Sequence, residues 1–477
     1  MGKSKILDLH NKLINKQISI KDVISESKKI FEKIKHTNSI ITNTIDLIDV
    51  NSLQDKLQQN KDNLLFAIPY TLKDNISTEG IRTTGASDFL KNYIPPYNAT
   101  VYELLKKQGA MLLGKANMDE FGLGNSGLYS AYGNTCNFFD SSRITSGSSS
   151  GNANCIAADF GIFSIGTDTG DSVRKPSSYL GIVGFKPSYG AISRYGVFPY
   201  APSQDHVGIF ANYVTDIAIV CQYIFKSDPI DYTSCDLEGK YYDNLKPFKN
   251  PKIAIFEGIE NFLEENILNE YKRTIKLLID NNFKVEKVKV DWKLMDTLPS
   301  VYRYISYTEA LSCYRSFTGL TFGTNYTKSY SNFNDMVKIN RTNGFGKELK
   351  YRFIYASLIQ HQKNFNEILN RARKAERVYE QFINNIFDKY DAYLIPAASS
   401  VAPTIKEFKE CNYHLNVSDD LLMLSNFCHN PSITIPASFV NKLPWGINLN
   451  CRKYEDQKLL DIALAIEEII NFDKGVR

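Results

Sequence analysis

Between Ser146 and Pro176 the chain reads Ser-Gly-Ser-Ser-Ser-Gly-Asn-Ala, then an apolar stretch, then Gly-Thr-Asp-Thr-Gly-Asp-Ser-Val-Arg-Lys-Pro. Two loops of small residues, one offering Ser148 and the other Ser172, are thus tied together by a single apolar helix-and-strand unit. A flexible Ser/Gly linker would lack such flanks; apolar strands and helices hem in both loops, so they belong to a folded body. Upstream, Ile68-Pro-Tyr-Thr-Leu-Lys-Asp-Asn-Ile76 places Lys73 at the end of a short apolar run. Ser, Ser and Lys can together make a nucleophile that attacks a carbonyl, as Ser, His and Asp do elsewhere.

The rest of the chain fits an α/β enzyme. Apolar residues at helical spacing (Ile6, Leu7, Leu9, Leu13, Ile14, then Val23, Ile24, Ile30, Phe31, Ile34) make residues 5–60 a helical N-terminal segment. Strands are expected at 64–70, 110–114, 162–166, 252–256, 283–290, 392–396, 433–436 and 445–451. Helices are expected at 100–108, capped by Asn98 or Thr100, and at 153–159, 260–279, 360–388 and 459–470. The Tyr-, Asn- and Ser-rich stretch 324–343 reads as a long loop. Strands interleaved with helices give an α/β class with a mixed, mostly buried central sheet covered by helices. No repeat or low-complexity linker divides the 477 residues, so one domain over 1–477 is expected, with 1–60 packed on it.

Composition excludes several classes. A net charge of +4 spread along the chain is not the concentrated basic stripe of an autonomous nucleic-acid binder. The eight cysteines (Cys136, Cys155, Cys221, Cys235, Cys313, Cys411, Cys428, Cys451) form no Cys-x-x-Cys pair, which points to isolated thiols in a reducing cytosol. Met1-Gly-Lys-Ser-Lys-Ile-Leu-Asp lacks a signal peptide's apolar region, and no run approaches a membrane span, so a cytoplasmic location is expected.

Two nucleotide-like spacings fail on context. Gly109-Ala-Met-Leu-Leu-Gly-Lys-Ala116 has the phosphate-loop spacing, but its intervening residues are apolar and belong in a strand. Gly122-Leu-Gly124-Asn-Ser-Gly127 follows the polar Asn117-Met-Asp-Glu-Phe121 rather than a strand, and reads better as a turn or substrate-facing loop. The six histidines (His10, His36, His206, His361, His414, His429) show no metal-ligand spacing, and only His206 falls near the serine region.

A serine hydroxyl needs a base, and lysine serves only when neutral. Burial must lower its pKa by several units at about 1.4 kcal/mol each, so the fold must sustain about 4 kcal/mol. Emerging from Leu65-Phe-Ala-Ile-Pro69, Lys73 is placed for such burial. The glycines around Thr169, Gly170 and Asp171 let consecutive backbone N–H groups converge on a developing oxyanion, each donor supplying about 3–4 kcal/mol.

These residues resemble the amidase signature family, whose two loops read approximately Gly-Gly-Ser-Ser-Gly-Gly-Ser and Gly-Ser-Asp-Thr-Gly-Gly-Ser-Ile-Arg-x-Pro. The resemblance implies Ser172 as acyl-forming nucleophile, Ser148 as proton relay (typically behind a cis peptide) and Lys73 as the ultimate base. The spacings, 75 from Lys73 to Ser148 and 24 from Ser148 to Ser172, match that pattern. Lys115-Ala-Asn-Met-Asp-Glu-Phe121, Gly184-Phe-Lys-Pro-Ser-Tyr-Gly190 and Ser193-Arg-Tyr-Gly-Val-Phe-Pro199 are most similar to the family's glutaminase branch, which serves tRNA-dependent amidation. That likeness implies glutamine as amide donor and no cofactor in this chain. It also implies a kinase-like amidating partner that holds ATP, Mg and misacylated Glu-tRNA(Gln), with a small third subunit. Gly344-Phe-Gly-Lys-Glu-Leu-Lys-Tyr-Arg352 resembles the segment gripping the glutamine α-carboxylate, which implies Arg352. Asp419 falls where the family holds the α-ammonium, and Tyr302 aligns with one of a tyrosine pair near the pocket; Gly124, in the loop read above as substrate-facing, is a further substrate-binding candidate.

Departures are Asp171 in place of a glycine before the nucleophile, Ser146 and Ser150 in place of loop glycines, and Arg303 in the tyrosine pair. Asp171 would oppose an oxyanion unless turned away, toward Arg174 or Lys175. Two other readings share the serines and lysine: a stand-alone hydrolase of another small amide, and a non-catalytic subunit whose site Asp171 has disabled.

Overall fold

A computed structural model describes residues 2–410 and 416–473. Eleven strands form one mixed sheet: β1 (Ile40–Asn43), β2 (Pro69–Lys73), β3 (Met111–Ala116), β4 (Phe163–Asp168), β5 (Val183–Lys186), β6 (His206–Ala211), β7 (Lys252–Phe256), β8 (Lys284–Val288), β9 (Ala392–Pro396), β10 (Ser432–Val440) and β11 (Leu443–Asn450). Their spatial order is β1-β3-β2-β4-β6-β5-β10-β11-β9-β7-β8. β2 runs parallel to both β3 and β4, and β7 parallel to β8 and β9, while the remaining pairs are antiparallel. The expected α/β class with a helix-covered mixed sheet is what the chain adopts.

The parallel β3-β2-β4 unit positions the site. Every residue of β2, β3 and β4 is buried, as sheets covered on both faces require. Side chains alternate along β2. Tyr70 and Leu72 enter the main core with Phe163 and Ile165 of β4, Tyr70 stacking on Phe163 at 5.1 Å. Thr71 turns to the other face, where its hydroxyl meets Ser164 Oγ at 2.7 Å, and Lys73 shares that face by the strand period. Helix Ser150–Ala157 covers that face. Its small polar sequence lets it approach closely: Asn152 Nδ2 donates to Ser164 Oγ at 2.8 Å, and a Cβ on Gly151 would stand 2.3 Å from Ser39 O.

Several sequence expectations are corrected. Residues 5–60 are not all helical, because Ile40-Ile-Thr-Asn43, rich in β-branched residues, forms edge strand β1 against β3. The strand expected at 64–70 begins where it was expected to end: residues 64–67 form a turn with Ala67 at φ 59°, and Pro69 opens β2. Residues 324–343 are not one loop, since helix Phe333–Gly344 starts at Asn332, whose side chain accepts from Asp335 N–H. Neither Asn98 nor Thr100 caps helix Thr100–Lys107; Ala99 holds that position without a side-chain bond, and Asn98 is engaged by Glu79 and Glu103. The long helix expected from 360 is Phe365–Phe387, preceded by a separate helix, Lys347–Gln360.

Leu72 is wholly buried between two strands one residue before Lys73. Leu72→Ala should lower the unfolding free energy by about 2–5 kcal/mol, read from urea denaturation.

Candidate active site

Lys73 has no exposed surface, and its Nζ donates to Ser148 Oγ at 2.8 Å and Thr167 Oγ1 at 2.8 Å. Burial lowers its pKa from the ordinary 10.5 to about 7, against the pull of Asp119, Asp168 and Asp205. A substantial share of this lysine is therefore neutral near pH 7, the form that accepts a proton.

Ser148 follows a cis peptide bond from Gly147. Asp119 secures that turn. Its N–H donates to Ser148 O at 3.2 Å, and its carboxylate accepts from the N–H groups of Ser126, Gly127 and Tyr129. Side chains at the facing glycines would collide with it: a Cβ on Gly147 would lie 2.1 Å, and one on Gly124 2.4 Å, from Asp119.

Ser172 stands on the turn from β4 to helix Arg174–Leu180. A buried ion pair closes that turn. Arg174 Nη2 donates to Asp168 Oδ1 at 2.8 Å and to Gly170 O at 2.7 Å, while Asp168 Oδ2 accepts Val173 N–H at 2.8 Å. Burial opposes the Asp168 charge, but Arg174 holds the carboxyl below its usual range. Val173 N–H is thereby used, whereas the N–H groups of Thr169, Gly170 and Asp171 meet no acceptor among the described residues. Three unspent donors beside a serine form what an oxyanion requires.

Ser172, Gly170, Asp171, Gly124, Tyr302, Arg303, Glu348 and Arg352 line one cavity of about 720 Å³. Tyr302 packs on the turn that precedes Ser172, where a Cβ on Gly170 would come within 3.1 Å of its ring. Arg352 lies on helix Lys347–Gln360, with Nε on Glu348 Oε1 at 2.9 Å and the guanidinium 5.1 Å from the Tyr307 ring centre. Asp419 is not on the cavity wall. Its oxygens accept from Ser399 N–H at 3.0 Å and Ser399 Oγ at 2.8 Å, and Lys175 Nζ lies 3.3 Å away. Arg174 is saturated by Asp168, Gly170, Leu422, Ser425 and Asn426, so Asp171 does not pair with it as one sequence expectation had it.

The sequence reading missed Thr167, Asp119 and the Asp168–Arg174 pair. Each lies inside a quoted motif, yet nothing in the order of residues says which acid carries a structural role. His206 sits on β6 with Nδ1 against Gln204 O at 2.6 Å, facing a separate cavity of about 230 Å³ behind Thr167. Lys115 lies inside β3, its Nζ on Ile76 O and Thr83 Oγ1, which confirms that this stretch is strand rather than phosphate loop. Cys411 and His414 lie outside the described residues, and the seven described cysteines are all free thiols.

A family model described as Amidase matches residues 23–460. The chain belongs to the amidase family. It is 41% identical over 480 residues to the A subunit of glutamyl-tRNA(Gln) amidotransferase from Mycoplasma genitalium, covering 99% of both chains. The corresponding A subunit from Mycoplasma pneumoniae is 39% identical over 485 residues, again across 99% of each. Among solved structures, the A subunit from Thermotoga maritima superposes with a TM-score of 0.74 at 28% identity, covering 94% of each chain. A peptide amidase from Stenotrophomonas maltophilia gives 0.82 over 98% and 97% at 22% identity, a likeness of fold.

Unfolded, Lys73 would keep its proton up to about pH 10.4, while folded it releases it near 7, so the unfolded chain binds more protons across that window and stability rises with pH there. Lys73→Met should raise the unfolding free energy at pH 7 by about 2–4 kcal/mol, a gain that shrinks toward pH 10. Denaturation series at several pH values would read it.

Proposed function

We propose that this chain is the glutaminase subunit of a tRNA-dependent amidotransferase. The observation that carries amide cleavage is the buried contact between a low-pKa Lys73 and Ser148. Ser172 Oγ attacks the carboxamide carbon of glutamine, its proton passing through Ser148 to Lys73. The oxyanion is received by the N–H groups of Thr169, Gly170 and Asp171. Lys73 then returns the proton through Ser148 to the departing amine, releasing ammonia and leaving a γ-glutamyl ester on Ser172. Water, deprotonated along the same path, frees glutamate.

Arg352 holds the α-carboxylate of glutamine, a reading supported by its lining the same cavity as Ser172. Full-length similarity to two A subunits supports ammonia delivery to a partner that converts Glu-tRNA(Gln) to Gln-tRNA(Gln). ATP and Mg belong to that partner, since the one phosphate-loop-like spacing here is buried strand. Ile354 and Leu358 are each about 60% exposed on helix Lys347–Gln360, apolar surface of the sort that interfaces between chains cover. This supports an assembled complex, completed by a small third chain, over a stand-alone hydrolase. Among the described residues no helix is long and apolar enough to cross a membrane.

Ammonia release from glutamine should fall at least about 10³-fold in Ser172→Ala. In the native chain kcat should climb with pH through a midpoint near 7, as Lys73 loses its proton. Undiminished release by Ser172→Ala would remove the nucleophile assignment. A chain that ignores glutamine yet cleaves simple amides would favour the stand-alone hydrolase.

A further inference from the structure

The loops that wall the cavity of Ser172 also wall a second one, of about 230 Å³. Gly122 and Thr169 line this second cavity, whereas Gly124 and Gly170, one or two residues further along, line the first. No described residue lines both. Thr167, whose Oγ1 stands 2.8 Å from Lys73 Nζ, belongs to the second wall. Gly122 leaves a gap toward Ser148: a Cβ there would meet Ser148 Oγ at 3.7 Å and nothing else beyond its own chain neighbours. Ile230, 59% exposed, is part of the same wall, which therefore reaches the protein surface.

Two buried acceptors belong to residues of this wall. His206 Nδ1 lies 2.6 Å from Gln204 O, and a carbonyl only accepts, so Nδ1 carries the ring hydrogen and Nε2 is a bare lone pair. Burial, with Lys186 and His429 nearby, keeps that ring neutral. Asn75 Nδ2 donates to Thr167 Oγ1 at 3.2 Å, which leaves Asn75 Oδ1 as the second acceptor. Each residue is 3% exposed, and neither Nε2 nor Oδ1 meets a donor among the described residues. Buried acceptors of this kind call for a small donor, and a cavity with room for several waters at about 30 Å³ each suits water. We infer that this cavity holds the water that hydrolyses the acyl-enzyme, steadied by Asn75 and His206 and admitted past Gly122 to Ser148. This rests on the acyl-enzyme of the proposed glutaminase reaction. The water oxygen bonds to the ester carbonyl carbon while its proton passes through Ser148 to Lys73. The bond from that carbon to Ser172 Oγ then breaks, and the proton returns to Oγ. Water thus reaches the base without crossing the cavity in which Arg352 holds the glutamyl group.

Ammonia leaves before the water acts, so glutamine kinetics on the intact chain with its co-purifying subunits separate the two steps. Val197→Phe fills the cavity from a half-buried wall position, and His206→Leu removes an acceptor. Each should lower kcat about 10-fold and KM with it, leaving kcat/KM unchanged. A burst of ammonia and a glutamyl ester on Ser172, seen by intact-protein mass spectrometry, should accompany the fall. His206→Gln, which keeps an acceptor, should restore most of the rate lost in His206→Leu. The two variants sit on different elements, so a folding defect in one leaves the other to decide. A kcat/KM that falls as far as kcat, with no ester, would overturn the inference; that is also the result if the cavity lets ammonia out rather than water in. An unchanged kcat in both variants would overturn it too. A native chain inert toward glutamine would sink the glutaminase reading alone, and the same kinetics on an amide it does cleave would still read the water step.

Discussion

Lys73 is held without contact to water, 2.8 Å from one serine hydroxyl and 2.8 Å from one threonine hydroxyl. Its pKa depression from 10.5 to about 7 corresponds to about 4–5 kcal/mol at pH 7, borne by the rest of the fold. That is a large fraction of a typical domain's net stability. The core around β2 is what makes it tolerable. Tyr70 and Leu72 bury into the main cluster on one face, so the strand cannot shift to let Lys73 reach solvent without turning those side chains outward.

Three buried acids keep the charge there from spreading. Asp119, Asp168 and Asp205 all raise the Lys73 pKa, yet each is occupied: Asp119 by three backbone N–H groups, Asp168 by Arg174, Asp205 by Thr169 Oγ1 and the Tyr200 and Ala201 N–H groups. Each anion is satisfied locally, so none forms a direct ion pair with Lys73 that would fix it as an ammonium. Burial wins over three distant attractions because distance weakens them while desolvation acts in full. The result is an amine poised between its two protonation states, as general-base chemistry near neutral pH demands.

The Lys73–Ser148 contact was legible in the sequence because it depends on residue types at fixed separations around a parallel strand unit. Lys73, Ser148 and Ser172 could be named from loop composition and the flanking apolar runs. Strand boundaries were less legible: Pro69 lacks an N–H and so looks like an ending, but an initial strand position spares that donor just as well. β1 was hidden because four β-branched or polar residues between helices carry too little periodicity to separate strand from helix. Asp419 shows a different limit. Its position along the chain matches the family pattern, but Lys175 and Ser399, distant in sequence, decide where its carboxylate turns. Such competition among charged groups is set by three-dimensional packing and leaves no mark in spacing.

The two halves of the candidate site, Ser148 and Arg352, lie about two hundred residues apart in sequence. Two adjacent carboxylates join them. Asp119 anchors the turn preceding Ser148, and Glu120 accepts Ser87 Oγ at 2.5 Å and Gly346 N–H at 2.9 Å, at the very start of the helix carrying Arg352. That carboxylate oxygen satisfies an N–H which the start of the helix leaves without an intrahelical acceptor. Phe121 follows and packs edge-on to Phe317 and Phe345, sealing the junction with aromatic rings. Because Asp119, Glu120 and Phe121 are consecutive, a displacement of the relay loop would carry the helix start with it. Catalytic and binding constellations in general tolerate only about half an ångström of error. One short buried segment fixed to both therefore does what two independent anchors on opposite sides of the cavity could not.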